Sequence, residues 1–298
     1  MVASSAAVSA DSRLLDLLRA GGLTARVQGV FDKAANLWCV ERRQLFTLAA
    51  SGSDDAPNTM VIDRSTFRDL GLSAATEVTL DHTRLVAENR FQLRLSDARP
   101  WAASIPSFPD LGPAYLARVT VELCRLLGIY GRPGGLRAAA APMNDFEAES
   151  SRLLGVRSQA MLRALRDNDL PRAYAAGSLL IGLGSGLTPA GDDFLSGLAV
   201  VCAMPGGHVH TFQPFLAGLV ADHEERTNTL SFTTMQEAVQ GRVRQRIVDL
   251  LDAVSAGDLP SIPALTRRVI AIGSTSGTDM LTGMQAGLHL ERELRGMA

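Results

Sequence analysis

A chain of 298 residues has room for one large or two ordinary domains with ample core. Its 46% apolar content is that of a globular protein, and a net charge of −2 gives no electrostatic case for a nucleic-acid partner. Among 29 basic residues only Lys33 is a lysine. That excludes a P-loop, whose glycine-rich turn must end in Lys and Ser or Thr, and it leaves Schiff-base chemistry dependent on one side chain.

In chain order, residues 1–12 are rich in Ala and Ser and lack the basic start and apolar core of a signal peptide, so a disordered tail is expected. Residues 13–20 predict a short amphipathic helix ending at Gly21-Gly22. From there the texture is β-like, with strands expected over 24–31, 37–40, 45–50, 59–62, 77–80 and 90–95 between Gly, Asp, Asn and Pro. Residues 103–113, with three prolines, read as a linker. Helical periodicity follows over 114–129, 145–167, 171–181, 188–203, 212–226, 233–256, 261–272 and 278–295, with breaks such as Arg132-Pro133-Gly134-Gly135. The expected class is α+β: a small N-terminal β barrel or sandwich-like domain (13–103), then a larger α-helical domain (114–298).

Cys39, Cys124 and Cys202 are odd in number and scattered, which fits neither a disulfide framework nor a zinc spacing. The one long apolar region, around 177–203, is interrupted by Asp192 and Asp193, which argues against a membrane span. A cytoplasmic protein with no membrane and no nucleic-acid partner is expected.

The densest chemistry lies at Gly182-Leu183-Gly184-Ser185-Gly186-Leu187-Thr188-Pro189-Ala190-Gly191-Asp192-Asp193, a glycine-rich turn feeding a helix that then turns apolar. Thr188 reads as N-cap and Pro189 as the first helical residue. On that register Asp192 and Asp193 fall past the slots where acids merely complement free amides. A carboxylate buried there without a partner is costly or takes up a proton, so a ligand, a metal or a hydrogen-bond partner is expected. Adjacent aspartates project about 100° apart on a helix, so one faces a given ligand while the other caps the chain or holds a supporting group.

Part of the pattern recurs near the C-terminus. Gly191-x-Asp193-Phe194-Leu195-Ser196-Gly197 matches Gly277-x-Asp279-Met280-Leu281-Thr282-Gly283. Each copy sets an acid, a hydroxyl and a glycine on one helical stripe, and that glycine allows close approach of a backbone or a ligand. The match stops upstream, so it is a recurring device and not a domain duplication. The plainer alternative is a pair of loop-to-helix junctions whose glycines let helices pack closely.

The cluster Arg226-Thr227-Asn228-Thr229-Leu230-Ser231 reads either as an N-cap and turn or as donors lining the same pocket. His208 and His210 have the i, i+2 spacing of a chelate without a third ligand, which is the pattern of a solvated loop. No Ser-His-Asp set emerges. The candidate catalytic residues are Asp192, Asp193 and Asp279. Candidate ligand-binding residues are Gly184, Ser185, Gly186, Thr188, Arg226, Asn228, Ser231 and Ser276. No cofactor is assigned; Mg²⁺ is the cation that the acid pair and its hydroxyls suit.

The long first motif, the Thr227-Asn228 to Ser231 cluster and Ser276-Gly277-Thr278-Asp279-Met280-Leu281, in that order, resemble the AllH-like family, long described only as a domain of unknown function. The resemblance covers most of the helical half. It implies a subunit of a bacterial catabolic oxamate carbamoyltransferase, which splits oxalurate with phosphate into oxamate and carbamoyl phosphate in allantoin or purine breakdown. It also implies two further subunits, one similar to a succinyl-CoA synthetase chain. Three readings stay open: a subunit of such a complex binding a small anionic metabolite, a self-sufficient Mg²⁺-dependent enzyme for a phosphate or nucleotide ligand, and a non-catalytic partner or metabolite-binding subunit.

Overall fold

In the computed structural model, which describes residues 3–87, 90–108 and 110–297, the chain divides into two compact units, Met1–Ala103 and Ser104–Ala298. Among the described residues the first unit has nine strands: β1 (Ala3–Asp11), β2 (Leu23–Val30), β3 (Ala34–Cys39), β4 (Gln44–Ala49), β5 (Thr59–Ile62), β6 (Glu77–Leu80), β7 (Arg84–Ala87), β8 (Phe91–Arg94) and β9 (Arg99–Trp101). One helix, α1 (Ser12–Ala20), follows β1. Eight strands close into a barrel in the order β1-β5-β4-β3-β2-β6-β7-β8 and back to β1, so the barrel alternative holds over the sandwich. The ninth, β9, pairs with the C-terminal end of β1, beyond the stretch that β8 occupies.

Alternation along β2 buries Leu23, Ala25 and Val27, and Leu37, Phe46, Met60, Ile62, Leu85 and Phe91 fill the interior with no solvent exposure. Leu14 and Leu18 of α1 pack into the same core. Asp11 starts that helix, one carboxylate oxygen accepting from the Arg13 amide at 3.2 Å and the other from the Asn58 amide at 2.7 Å.

The expected disordered tail is wrong over residues 3–11, which form the strand that closes the barrel. Alanine and serine have little strand propensity, and the partners of β1 lie far along the chain, so no local pattern reveals it. Its serines are used: Ser5 and Ser9, both buried, donate to Asp63 and Asp55.

The second unit is helical: α2 (Pro113–Tyr130), α3 (Asp145–Arg166), α4 (Leu170–Ser178), α5 (Ala190–Cys202), α6 (Gln213–Ala221), α7 (Thr229–Val239), α8 (Gln245–Ala256), α9 (Ile262–Ile270) and α10 (Ser276–Met297). Short 3₁₀ turns at His208–Phe212 and Glu224–Arg226 flank α6. Every residue of α5 is buried, as befits a helix apolar on all sides, and it packs against α10, α7 and α6. The single helix expected over 233–256 is two, because Gly241 takes a left-handed φ of 73° and the chain turns there. The helix expected over 212–226 stops at Ala221, where the His223 ring donates to the Leu219 carbonyl, 2.9 Å away. No described helix is long and apolar enough to cross a membrane.

Candidate functional site

The two Gly-x-Asp motifs pack on each other. A Cβ on Gly197 would lie 2.7 Å from the Met280 carbonyl carbon, and one on Gly283 would lie 2.8 Å from the Leu198 nitrogen and 2.9 Å from the Phe194 carbonyl carbon. Each closing glycine therefore sits against the fourth position of the other motif. Farther along, Gly287 faces Val201, while at the start the Thr188 and Ser276 hydroxyls meet at 2.7 Å. These contacts advance together along both helices, so α5 and α10 run parallel, with their N-termini at one end. Other parts also correspond: Ser196 and Thr282 each donate to the carbonyl four residues back, at 2.9 and 2.8 Å.

Parallel neighbours bring two positive helix ends together, which favours negative charge at that end. Three aspartates stand there. The start of α5 is one residue later than expected: Pro189 is the N-cap and the Thr188 side chain caps no amide, so both acids fall in the first turn. Asp192 is 1% exposed, with Oδ1 accepting from the Gly182 amide at 2.7 Å and Oδ2 from the Thr227 hydroxyl. Burial raises its pKa, against the pull of Thr227, Gly182 and Ser231.

Asp193, 2% exposed, accepts from the Thr188 hydroxyl at 3.0 Å. Burial, abetted by the charges of Asp279 and Asp192, lifts it from 3.8 to about 8 against the Thr188 and Ser276 hydroxyls. Asp279, 1% exposed, accepts from the Leu136 amide at 2.8 Å through Oδ1, and burial raises it to about 7. Its Oδ2 is buried with no hydrogen bond among the described residues; the Thr275 hydroxyl comes near enough to moderate the pKa but not in a geometry that satisfies that oxygen. Among the described residues no basic side chain offsets the three carboxyls, and no three acid, His or Cys side chains converge as a metal cage.

The other predicted residues divide between two roles. Gly184, Ser185 and Gly186 form the turn before α5, where Gly184 and Gly186 take left-handed φ values of 120° and 103°. Asn228 acts both as N-cap, accepting from the Ser231 amide at 3.1 Å, and as a clasp, donating to the Leu187 carbonyl at 2.9 Å. Ser231 is buried beside Asp192. Arg226 brings its carbonyl against Gly182, where a Cβ would not fit, and its own side chain is exposed. His208 lies elsewhere, beside Glu291, and His210 against the Cys202 carbonyl.

Sequence reasoning missed residues 131–137, which lie on the first turn of α10. Arg132 donates its amide to the Thr278 hydroxyl at 2.9 Å, and Ser151 donates to the Gly135 carbonyl at 2.8 Å. A Cβ on Gly135 would stand 2.6 Å from the Asp279 carboxyl carbon. The one signal was Pro133-Gly134-Gly135, which reads as a helix break until its partner is known.

Fold and site together define a two-unit protein: a closed, filled β barrel, and a helical unit with buried acids at the common N-terminal end of two parallel helices. The chain belongs to the AllH family: residues 180–288 match the family described as oxamate carbamoyltransferase subunit AllH, and residues 6–100 match the AllH family N-terminal domain. No solved structure matches it.

Proposed function

We propose that the chain is a subunit of a carbamoyltransferase-like complex of the cytoplasm, working in purine or allantoin breakdown, and that it holds a small anionic, amide-bearing ligand where α5 and α10 begin. The observation that carries the reading is the buried Oδ2 of Asp279, an acceptor with no donor among the described residues, at an end where two helix dipoles converge. An –NH₂ edge, as in oxamate or a carbamoyl group, supplies the missing donor to Asp279 and Asp193. The ligand's anionic oxygens take the amides of Gly184, Ser185 and Gly186, which donate to no acceptor among the described residues, while Thr188, donating to Asp193, and Ser276, meeting Thr188, hold the acid in place. Asp192, with both oxygens engaged, anchors the glycine turn to Thr227. In a phosphorolysis these groups position the amide and the anion, and an arginine steadies phosphate charge.

The test is Asp193→Asn in the assembled complex. Turnover is lost while the subunits stay together; full turnover in that variant refutes the assignment. A purely architectural subunit is the second reading, favoured by the reciprocal glycine packing. It predicts that Asp193→Asn is silent and that Gly197→Leu breaks assembly.

A further inference from the structure

The segment over residues 131–137 supplies something the site otherwise lacks, a cation. Arg132 Nη1 donates to the carbonyls of Gly273 at 2.8 Å and Ser274 at 3.2 Å, which pins the guanidinium beside the start of α10. The side chain is exposed, and its Nη2 and Nε have no protein partner among the described residues. The amides of Gly273, Ser274 and Thr275, in the turn where Gly273 takes a φ of 59°, likewise donate to no acceptor among the described residues. These donors gather without an acceptor at one helix end. Below them Asp279, held to the same segment by the Leu136 amide, keeps its buried Oδ2 unpartnered.

We propose that Arg132 and the 273–276 turn form an oxyanion subsite, the second half of the pocket, and that Asp279 makes it prefer an oxyanion that also carries a hydrogen-bond donor. Two sources share that chemistry: hydrogenphosphate, through its O–H, and a carboxylate bearing an amide. Sulfate has the size and charge of phosphate but no O–H at neutral pH, so it meets Arg132 and leaves Asp279 unsatisfied. The inference rests on the preceding proposal that a ligand sits where α5 and α10 begin.

The experiment is calorimetric titration of the full chain with inorganic phosphate, with sulfate and with oxamate. The variants are Arg132→Ala, Arg132→Lys, Arg226→Ala and Asp279→Asn, with melting curves confirming that each is folded. Phosphate should bind wild type more tightly than sulfate. Arg132→Ala should weaken both by about tenfold or more, the loss of a charge-assisted hydrogen bond. Arg132→Lys should lose less, Arg226→Ala should change neither, and Asp279→Asn should narrow the gap between phosphate and sulfate. Phosphate binding that survives Arg132→Ala, or that falls equally in Arg226→Ala, overturns this inference alone. Wild type that binds none of the three overturns it together with the ligand reading.

Discussion

Replacing Gly283 by alanine tests the parallel helix pair, because two effects of known size oppose each other there. On its own the change favours the helix by up to about 1 kcal/mol. At Gly283, however, the new methyl would stand 2.8 Å from the Leu198 nitrogen and 2.9 Å from the Phe194 carbonyl carbon, both backbone atoms of the fully buried α5. Neither can swing aside as a side-chain tip would, so α5 and α10 must separate, at an overpacking cost of about 1–3 kcal/mol or more. The clash outweighs the propensity gain, leaving a net loss of up to about 2 kcal/mol, or up to roughly 4–8 °C in Tm for a unit of this size. Gly218, exposed in α6 with nothing within 4 Å of its Cβ position, is the internal control. There the same substitution should raise Tm by roughly 2–4 °C. Scanning calorimetry of both variants decides the matter; a Gly283→Ala protein as stable as Gly218→Ala would show that α5 and α10 do not touch as described.

Two further outcomes follow from the buried acids. Because Asp193 titrates at about 8 in the fold against 3.8 ordinarily, the folded chain keeps a proton the unfolded chain releases, and ligand-free stability falls as pH rises between those values. Asp193→Asn escapes that loss, so its stability relative to wild type should climb with pH, by at most roughly 6 kcal/mol, in urea midpoints taken from pH 4 to 9; a difference flat with pH would contradict the burial of an unpaired carboxyl. Glu291 behaves oppositely: it is fully buried, yet Arg295 at 2.6 Å, the Val209 amide at 2.8 Å and His208 at 3.2 Å outweigh desolvation and hold its pKa down. Glu291→Gln should cost about 3–5 kcal/mol near neutrality, by breaking a buried ion pair from one side. That cost should shrink as pH falls through the lowered pKa of Glu291, and a pH-independent cost would argue against an ionised glutamate.

What the sequence revealed follows how local each signal is. The helices and most of the barrel strands announce themselves by periodicity within a few residues, as Leu23, Ala25 and Val27 do in β2. The strand β1 stayed hidden because its evidence is tertiary, with Ser5 and Ser9 reading as tail residues until Asp63 and Asp55 are placed beside them. In the site, Asp193 and Asp279 were legible because the motif repeats, and repetition survives translation into space as a parallel helix pair. Asn228 was ambiguous between cap and contact because it is both. The segment carrying Arg132 and Gly135 was not legible, since a glycine needed for another residue's carboxyl looks like any glycine that ends a helix.

We propose that a small anionic, amide-bearing molecule binds where α5 and α10 begin. The most direct test is a melting curve of the isolated chain with oxamate or carbamoyl phosphate, beside the same curve for Asp193→Asn. A ligand present at about 100 times its Kd adds roughly 2.7 kcal/mol, which such a curve resolves. Wild type should show a rise in Tm that Asp193→Asn abolishes; no rise with either compound, or an equal rise in the variant, would rule out a ligand site built on Asp193.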